Sequence, residues 1–262
     1  MDEVLVRLLG NTLRSPRRFC RSVSRWFSGA YEWESRAACD VARWLAPTDQ
    51  AVLSGICGTG HRTQDRLIAW LATQAPPTGC LVDIGHQGTH TAAWLAMGAL
   101  QHATPPTVVS IGPEIHRVWH LFEQQARTAH LHKIPDSSSS DLYAPAMATY
   151  ANVSSGPNPI PVDSILGRLR QVDLTPAAAA STWRDPISLL SINMLWQAEE
   201  VSAVFRQMIP HVAPGGWIVA TGVQGHQAVS RQQLAHDEIA AHADCAHAVS
   251  IRSLLIFRKR AN

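Results

Sequence analysis

The feature of this sequence that most restricts its fold is an alternation of short apolar runs with helical patterns, which starts near residue 80. The runs 80–84 and 108–111 each end at a glycine, Gly85 and Gly112, and a helical pattern over about 90–100 separates them. Short buried strands that alternate with helices through brief links are typical of a parallel sheet. The sequence therefore predicts an α/β fold with a doubly wound, mainly parallel sheet and helices on both faces.

Further apolar runs continue this pattern toward the C-terminus. They lie at 187–192, 217–220, 247–251 and 254–257, with helical patterns near 201–208 and 231–242. The last two runs follow each other closely, which permits an antiparallel pair. The sequence predicts that this pair forms an antiparallel C-terminal edge of the sheet.

The domain organisation follows from where the periodicity changes. Residues 1–62 are interpreted as an N-terminal helical extension, and residues 63–262 as one α/β domain. Within that domain, the segment 134–161 has no clear periodicity and contains many Ser, Gly and Pro residues. A stretch of this kind inside a compact domain is usually a mobile lid or a surface insertion.

The composition excludes several classes of protein. The five cysteines are an odd number, are widely spaced and form no CxxC pair, so neither a disulfide framework nor a zinc knuckle is indicated. No apolar run approaches the roughly 18 residues of a membrane-spanning helix. Acidic residues near the N-terminus and the interruption of the first apolar run by Arg7 argue against a signal peptide. We expect a cytoplasmic protein.

The charge is distributed unevenly along the chain. The net charge is +2, yet residues 4–31 contain six arginines and no acidic residue, with apolar residues at helical spacing among them. An amphipathic helix docked on the domain explains this pattern, and a helix on an anionic membrane or an acidic partner is the alternative. A pI near 8.4 and one short basic stretch are too weak a basic footprint to predict a nucleic-acid partner.

Two motifs resemble those of a known enzyme family. The segment LVDIGHQGTHT at 81–91 resembles the first glycine motif of the class I S-adenosylmethionine-dependent methyltransferases, and IPHVAPGGWIV at 209–219 resembles the turn before their fifth strand. The closest similarity is to bacterial small-molecule and sugar O-methyltransferases, over about residues 64–258 with 134–161 unmatched. The resemblance implies a Rossmann-like sheet and S-adenosylmethionine as the cofactor.

The same resemblance implies a set of cofactor-binding residues. Gly85 and Gly88 take the places of glycines that let a ligand approach the backbone, and Asp83 that of the acid that helps to fix the ammonium-bearing end of the cofactor. The family usually ends its second strand in an acid that binds the ribose hydroxyls, where this chain has Gly112. Glu114 could replace that acid if the intervening turn swings it back; otherwise it is a solvent-facing acid at a helix start.

The fourth-strand motif departs further from the family. Residues 192–198 align with Ile-Asp-Gly-x-His-x-Tyr, so the metal-binding Asp becomes Asn193 and the usual His becomes Trp196. Divalent cations such as magnesium prefer charged oxygen ligands, so no metal site is predicted. A base is still required to remove a proton from an acceptor hydroxyl, and His226, after the fifth strand, is the candidate catalytic residue. An ordinary surface histidine is the alternative.

The resemblance, with these departures from the family pattern, implies a metal-independent, S-adenosylmethionine-dependent methyltransferase that acts on a hydroxyl of a small molecule or sugar. The alternative is a catalytically inactive methyltransferase-like protein that serves as a partner or regulatory subunit, because Gly112, Asn193 and Trp196 all depart from the family pattern. A homo-oligomer and a peripheral membrane contact through the arginine-rich segment stay open as further expectations.

Overall fold

The structure is a computed structural model that describes most of the α/β region. The described residues are 29–45, 62–85, 89–113, 115, 119–120, 123–124, 162–193, 197–221, 228–251 and 254–261. Several features singled out from the sequence lie outside them: the six arginines near the N-terminus, the segment 134–161, Gly88, Glu114, Trp196 and His226.

Seven strands of the described chain form one sheet in the order β3-β2-β1-β4-β5-β7-β6. They are β1 Cys80–Ile84, β2 Val108–Ile111, β3 Leu169–Val172, β4 Ile187–Asn193, β5 Val212–Thr221, β6 Cys245–Ile251 and β7 Leu254–Lys259. Strands β1 to β5 pair in parallel, whereas β7 pairs antiparallel with both β5 and β6. The predicted fold class is therefore confirmed, including the antiparallel C-terminal edge.

Helices cover both faces of the sheet. They are α1 Ala30–Val41, α2 Arg62–Thr73, α3 Thr89–Ala99, α4 Val162–Leu166, α5 Pro176–Thr182, α6 Ala198–Met208 and α7 Ala228–Ala240, with a 3-10 turn at Ile209–His211. Helices α1, α2 and α3 pack on the face that contains Leu81, which we call the first face. Helices α5, α6 and α7 pack on the opposite, second face, which contains Val82. Successive strand residues alternate between the two faces, so doubly covered strands read as continuous apolar runs.

Helices α2 and α3 approach each other closely on the first face. A Cβ built at Gly98 of α3 would lie only 2.2 Å from the backbone oxygen of Ala69 in α2. A larger residue at this point would push the helices apart. The glycine therefore allows the two apolar helices to press together against the strands that they cover.

Helix α1, the described part of the predicted N-terminal extension, packs into the first-face core through tryptophans. The Trp33 ring makes edge-to-face contacts with Trp70 and Trp217, at centroid distances of 5.4 and 5.7 Å. The indole N–H of Trp70 donates to the Oδ2 of Asp40, 2.9 Å away. Aromatic pairs in this geometry stabilise beyond their buried area. The predicted boundary at residues 62 and 63 stays a prediction.

None of the described helices combines the length and apolar character that a membrane crossing requires.

Candidate functional site

The strand order places the topological switch point of the sheet between β1 and β4, where a crevice is expected at the carboxyl edge. From β1 the chain proceeds outward to β2 and β3, and it then returns to β4 and proceeds to β5 on the other side. The connections after β1 and β4 therefore leave in opposite directions. In open α/β sheets, ligands bind at such a switch point outside the carboxyl ends of the strands.

Two glycines end the strands on one side of this crevice. Gly85 follows β1 and donates its N–H to the Ile111 oxygen, 3.1 Å away, while Gly112 follows β2 and donates to the Val172 oxygen, 3.2 Å away. Both glycines are buried, and a Cβ built at Gly112 would lie 2.6 Å from the Gly85 oxygen. Real Cβ atoms do not approach a backbone oxygen so closely. This packing explains why no acid occupies position 112, and neither Gly85 nor Gly112 carries a side chain at the end of its strand.

A row of buried polar side chains lies directly below the glycines on the first face. Asp83 of β1 is 2% exposed, and its register partners are Ser110 of β2 and Ser191 of β4, at 0% and 1%. Buried carboxylates are costly unless polar groups surround them. The structure thus places the predicted Asp83 under the predicted Gly85, within a polar row that interrupts the apolar first face.

The other side of the crevice ends in neutral polar residues. Asn193 of β4 is the register partner of Thr221 of β5, and both lie on the first face. Asn193 is half-buried, and the hydroxyl of Thr221 donates to the Ile192 oxygen at 3.4 Å. An amide and a hydroxyl can orient a polar ligand, but they offer no charged oxygen to a cation. Within the described residues, no group of three His, Cys, Asp or Glu side chains could hold a metal ion.

Asp173 is a candidate residue that the sequence reasoning missed. It follows β3, and the bond from Gly112 to the Val172 oxygen brings the two chain segments together. The N–H of Leu174 donates back to the Val172 oxygen at 3.0 Å, so the chain turns sharply around Asp173. Asp173 is exposed, and the neighbouring Leu174 side chain is 42% exposed. The edge beside Gly112 therefore presents a carboxylate next to an apolar side chain.

Comparisons with solved structures identify the fold. The O-methyltransferase TomG from Streptomyces achromogenes, involved in tomaymycin synthesis and solved in complex with SAM, shares 11% identity over 88% of this chain and 98% of its own, with a TM-score of 0.51. An O-methyltransferase candidate from Klebsiella pneumoniae gives 11% identity, 88% and 99% coverage and a TM-score of 0.54. A cofactor-bound protein from MTB gives 16% identity, 83% and 92% coverage and a TM-score of 0.53.

The chain has the methyltransferase fold. No family model matches the sequence, and no curated protein matches it either. At identities of 11 to 16%, the structural likeness establishes the fold and leaves the activity to be argued from the residues.

Within this methyltransferase fold, the structure describes two of the five predicted site residues. Asp83 and Gly85 lie at the carboxyl end of β1, and their roles in cofactor binding stay predictions. Gly88, Glu114 and His226 lie outside the described residues, so their roles stay predictions. Helix α3 begins at Thr89, the position that follows Gly88 in the sequence.

A tryptophan next to the fourth strand lies away from the crevice. Trp183 precedes this strand by a few residues in the sequence. In the structure it precedes β4, so it lies at the amino edge of the sheet, opposite the crevice. The Trp183 side chain is packed into the second-face core, and its indole N–H donates to the Asp185 oxygen at 2.7 Å.

The histidines near the C-terminal edge belong to a packed aromatic cluster. The rings of His236 and His247 are 6.2 Å apart, and both pack against Phe257, at 5.8 and 5.2 Å. The Nε2 of His247 lies 2.8 Å from the Ser250 hydroxyl. Burial lowers the pKa of His247 below its ordinary value of 6.5, and the nearby His236 lowers it further. This cluster is separated from the crevice by β5 and is not part of the candidate site.

Proposed function

We propose that the protein transfers a methyl group from S-adenosylmethionine to a hydroxyl of a small molecule or sugar, without a metal. The observation that carries this proposal is the pair of backbone-lined strand ends at Gly85 and Gly112, above the buried Asp83, at the switch point of a methyltransferase fold. TomG, which has this fold, is solved with SAM bound. This supports the same cofactor class here.

The residues on the β1 side suit the cofactor. The bare main chain at Gly85 and Gly112 allows a flat or sugar-like group to approach closely. The carboxylate of Asp83 attracts an ammonium group. The first N–H groups of helix α3, which have no partner within the helix, attract a carboxylate. An amino acid moiety carries both of these charges, so it fits between them.

Because position 112 cannot supply an acid, another residue must bind the ribose hydroxyls. A carboxylate can accept hydrogen bonds from two hydroxyls at once. Asp173 is a described carboxylate beside Gly112, and Glu114 is the candidate predicted from the sequence. We propose Asp173 as the stronger of the two, and its position directly after β3, beside Gly112, supports this choice.

The residues on the β4 and β5 side suit a neutral acceptor. S-adenosylmethionine supplies an electrophilic methyl group on a positively charged sulfur. Asn193 and Thr221 can orient an acceptor hydroxyl through neutral hydrogen bonds, and His226, after β5, is proposed to take its proton. With Asn193 in place of an acid, the chemistry relies on orientation and on the base.

A second candidate function is a non-catalytic partner or regulatory subunit. The contact between Gly112 and the Gly85 oxygen specifically favours it, because it removes the position from which the second-strand acid acts. The two candidates differ in one property, the binding of the cofactor.

Isothermal titration of the full chain with S-adenosylmethionine and S-adenosylhomocysteine separates them. We expect binding in the micromolar range, about 10- to 100-fold weaker binding by Asp83→Asn, and near-normal binding by Asp65→Asn. Asp65 is a matched control because it is an equally buried acid, at 1% exposure, in helix α2. No binding by the intact protein at millimolar ligand would refute the enzyme and leave the non-catalytic candidate.

A transfer assay then tests the chemistry. With labelled S-adenosylmethionine and a panel of hydroxyl-bearing small molecules, we expect product formation that EDTA does not reduce. Loss of activity in EDTA, restored by a divalent cation, would contradict the metal-independent mechanism.

A further inference from the structure

The polar row beneath the glycines contains a hydroxyl whose role the proposed function does not explain. Ser191 lies in the centre of β4, is 1% exposed, and its Oγ makes no hydrogen bond to any described residue in the observed rotamer. A buried hydroxyl without a partner is rare in folded proteins, because the group has lost its water and gained nothing in return. The hydroxyl of Ser191 gains a partner only if its side chain turns into another rotamer.

We propose that Ser191 is a positioning residue that donates a hydrogen bond to the carboxylate of Asp83 and orients it toward the cofactor. This inference rests on the proposed function and adds one of the residues that set affinity for the cofactor. Ser191 is the register partner of Asp83 across β1 and β4, and both side chains lie on the first face. Neighbouring strands are about 4.8 Å apart, so rotation of the serine side chain about χ1 brings its hydroxyl within reach of the carboxylate.

Of the two register partners of Ser191, Asp83 is the one with a polar side chain. Across β5 its register partner is Val219, which is apolar, and the preceding first-face residue of β4 is the apolar Leu189. Across β1 it faces a buried carboxylate. Hydrogen bonds to ionised groups are the strongest that a neutral hydroxyl makes, so this arrangement favours the bond to Asp83.

Ser110 lies on the other side of the same carboxylate. It is the register partner of Asp83 in β2, and it is fully buried. The acid is therefore placed between two serines, one from each neighbouring strand. Two flanking hydroxyls restrict the directions in which a carboxylate can turn, which is what a binding group requires before its ligand arrives.

The chain provides a matched control at the other end of the same strand. Ser188 of β4 is fully buried, and its Oγ likewise makes no hydrogen bond to the described residues. It lies at the amino end of the strand, where a Cβ built at Gly79 would be 2.8 Å from its Oγ. Replacing Ser188 thus removes an equally buried hydroxyl from the same strand, far from Asp83.

Isothermal titration with S-adenosylhomocysteine tests the proposal. Loss of one hydrogen bond to a charged group predicts about tenfold weaker binding for Ser191→Ala, with Ser188→Ala close to the wild type. The pair Ser191→Thr and Ser191→Val separates the hydroxyl from packing, since the two side chains are nearly equal in size. The Ser191→Thr variant is expected to bind S-adenosylhomocysteine at least about fivefold more tightly than the Ser191→Val variant. Equal affinities within that pair, or an equal loss in Ser188→Ala, would overturn the positioning role.

A double-mutant cycle in urea unfolding tests the contact without any ligand. The effects of Ser191→Ala and Asp83→Asn on the unfolding equilibrium constant are expected to be non-additive by about tenfold, whereas Ser188→Ala and Asp83→Asn are expected to be additive. Additive effects in the first cycle would overturn the inference even if the wild type binds the cofactor. Non-additive effects in a protein that binds no cofactor would instead refute the proposed function and leave the Ser191 contact in place.

Discussion

Substitution of Gly112 tests the physical reason for the missing second-strand acid. In Gly112→Ala the new Cβ would meet the Gly85 oxygen at 2.6 Å, about 0.8 Å inside an ordinary contact distance. The obstructing atom is backbone, and Gly85 is itself held by its hydrogen bond to Ile111. Relief therefore requires the ends of two neighbouring strands to separate. Overpacking of this kind costs about 1 to 3 kcal/mol.

Urea unfolding of Gly112→Ala should show a loss of stability in that range, and thermal unfolding a lower midpoint by about 2 to 4 °C for each kcal/mol. Gly167→Ala is the control for a milder clash, because its Cβ would lie 3.1 Å from the Asp163 oxygen, and we expect a smaller loss of stability.

Gly112→Asp, which restores the acid of the family, should be at least as destabilising as Gly112→Ala. It should not tighten the binding of S-adenosylhomocysteine. A Gly112→Asp protein that is as stable as the wild type, or that binds more tightly, would refute the reasoning.

Two further predictions concern pH. Hydrogen bonds from Arg206 lower the pKa of Glu238 in the folded protein below its ordinary value of 4.5. The pair therefore contributes its full stabilisation above pH 4.5, and this contribution is lost as the pH falls through the pKa of the folded state. Glu238→Gln should reduce the unfolding midpoint at neutral pH, and a difference from the wild type that persists at the acid end would contradict this cause. Burial lowers the pKa of His247 from 6.5, so the unfolded chain takes up a proton first and the fold loses stability as the pH falls below 6.5. His247→Gln should reduce the dependence of the unfolding midpoint on pH below 6.5. An unchanged pH dependence would show that another group causes it.

The central strands could be predicted because each is covered by helices on both faces. Such strands, like β1 and β4, carry apolar residues at successive positions, and this pattern is visible in a single sequence. The antiparallel pair of β6 and β7 could be predicted because a short link leaves few other arrangements.

Strand β3 could not be predicted by the same rule. It lies at the edge of the described sheet and has only four residues, Leu-Arg-Gln-Val, of which none is fully buried. Because β3 was missed, the acid that follows it, Asp173, was missed as a site residue. One local signal was available: Thr175 and Pro176 are a typical helix start, and the Thr175 hydroxyl accepts a hydrogen bond from the Ala178 N–H.

The row of buried polar residues in the sheet could not be predicted from the sequence either. Asp83, Ser110 and Ser191 are far apart along the chain. The glycine motif draws attention to Asp83, but each serine is a single polar residue in an apolar run, and nothing in the sequence indicates that the serines flank Asp83. Only the register of three parallel strands brings them side by side. Register in a parallel sheet depends on the whole packing of helices and strands, so local patterns do not report it.

The most direct test of the central claim is a crystal structure of the full chain with S-adenosylhomocysteine. We expect the ligand at the carboxyl edge of β1, with its ammonium group facing Asp83. Its ribose should lie above the Gly85 and Gly112 backbone and form hydrogen bonds with Asp173 or Glu114. A crevice filled by the protein's own side chains, or a ligand bound elsewhere on the molecule, would contradict it.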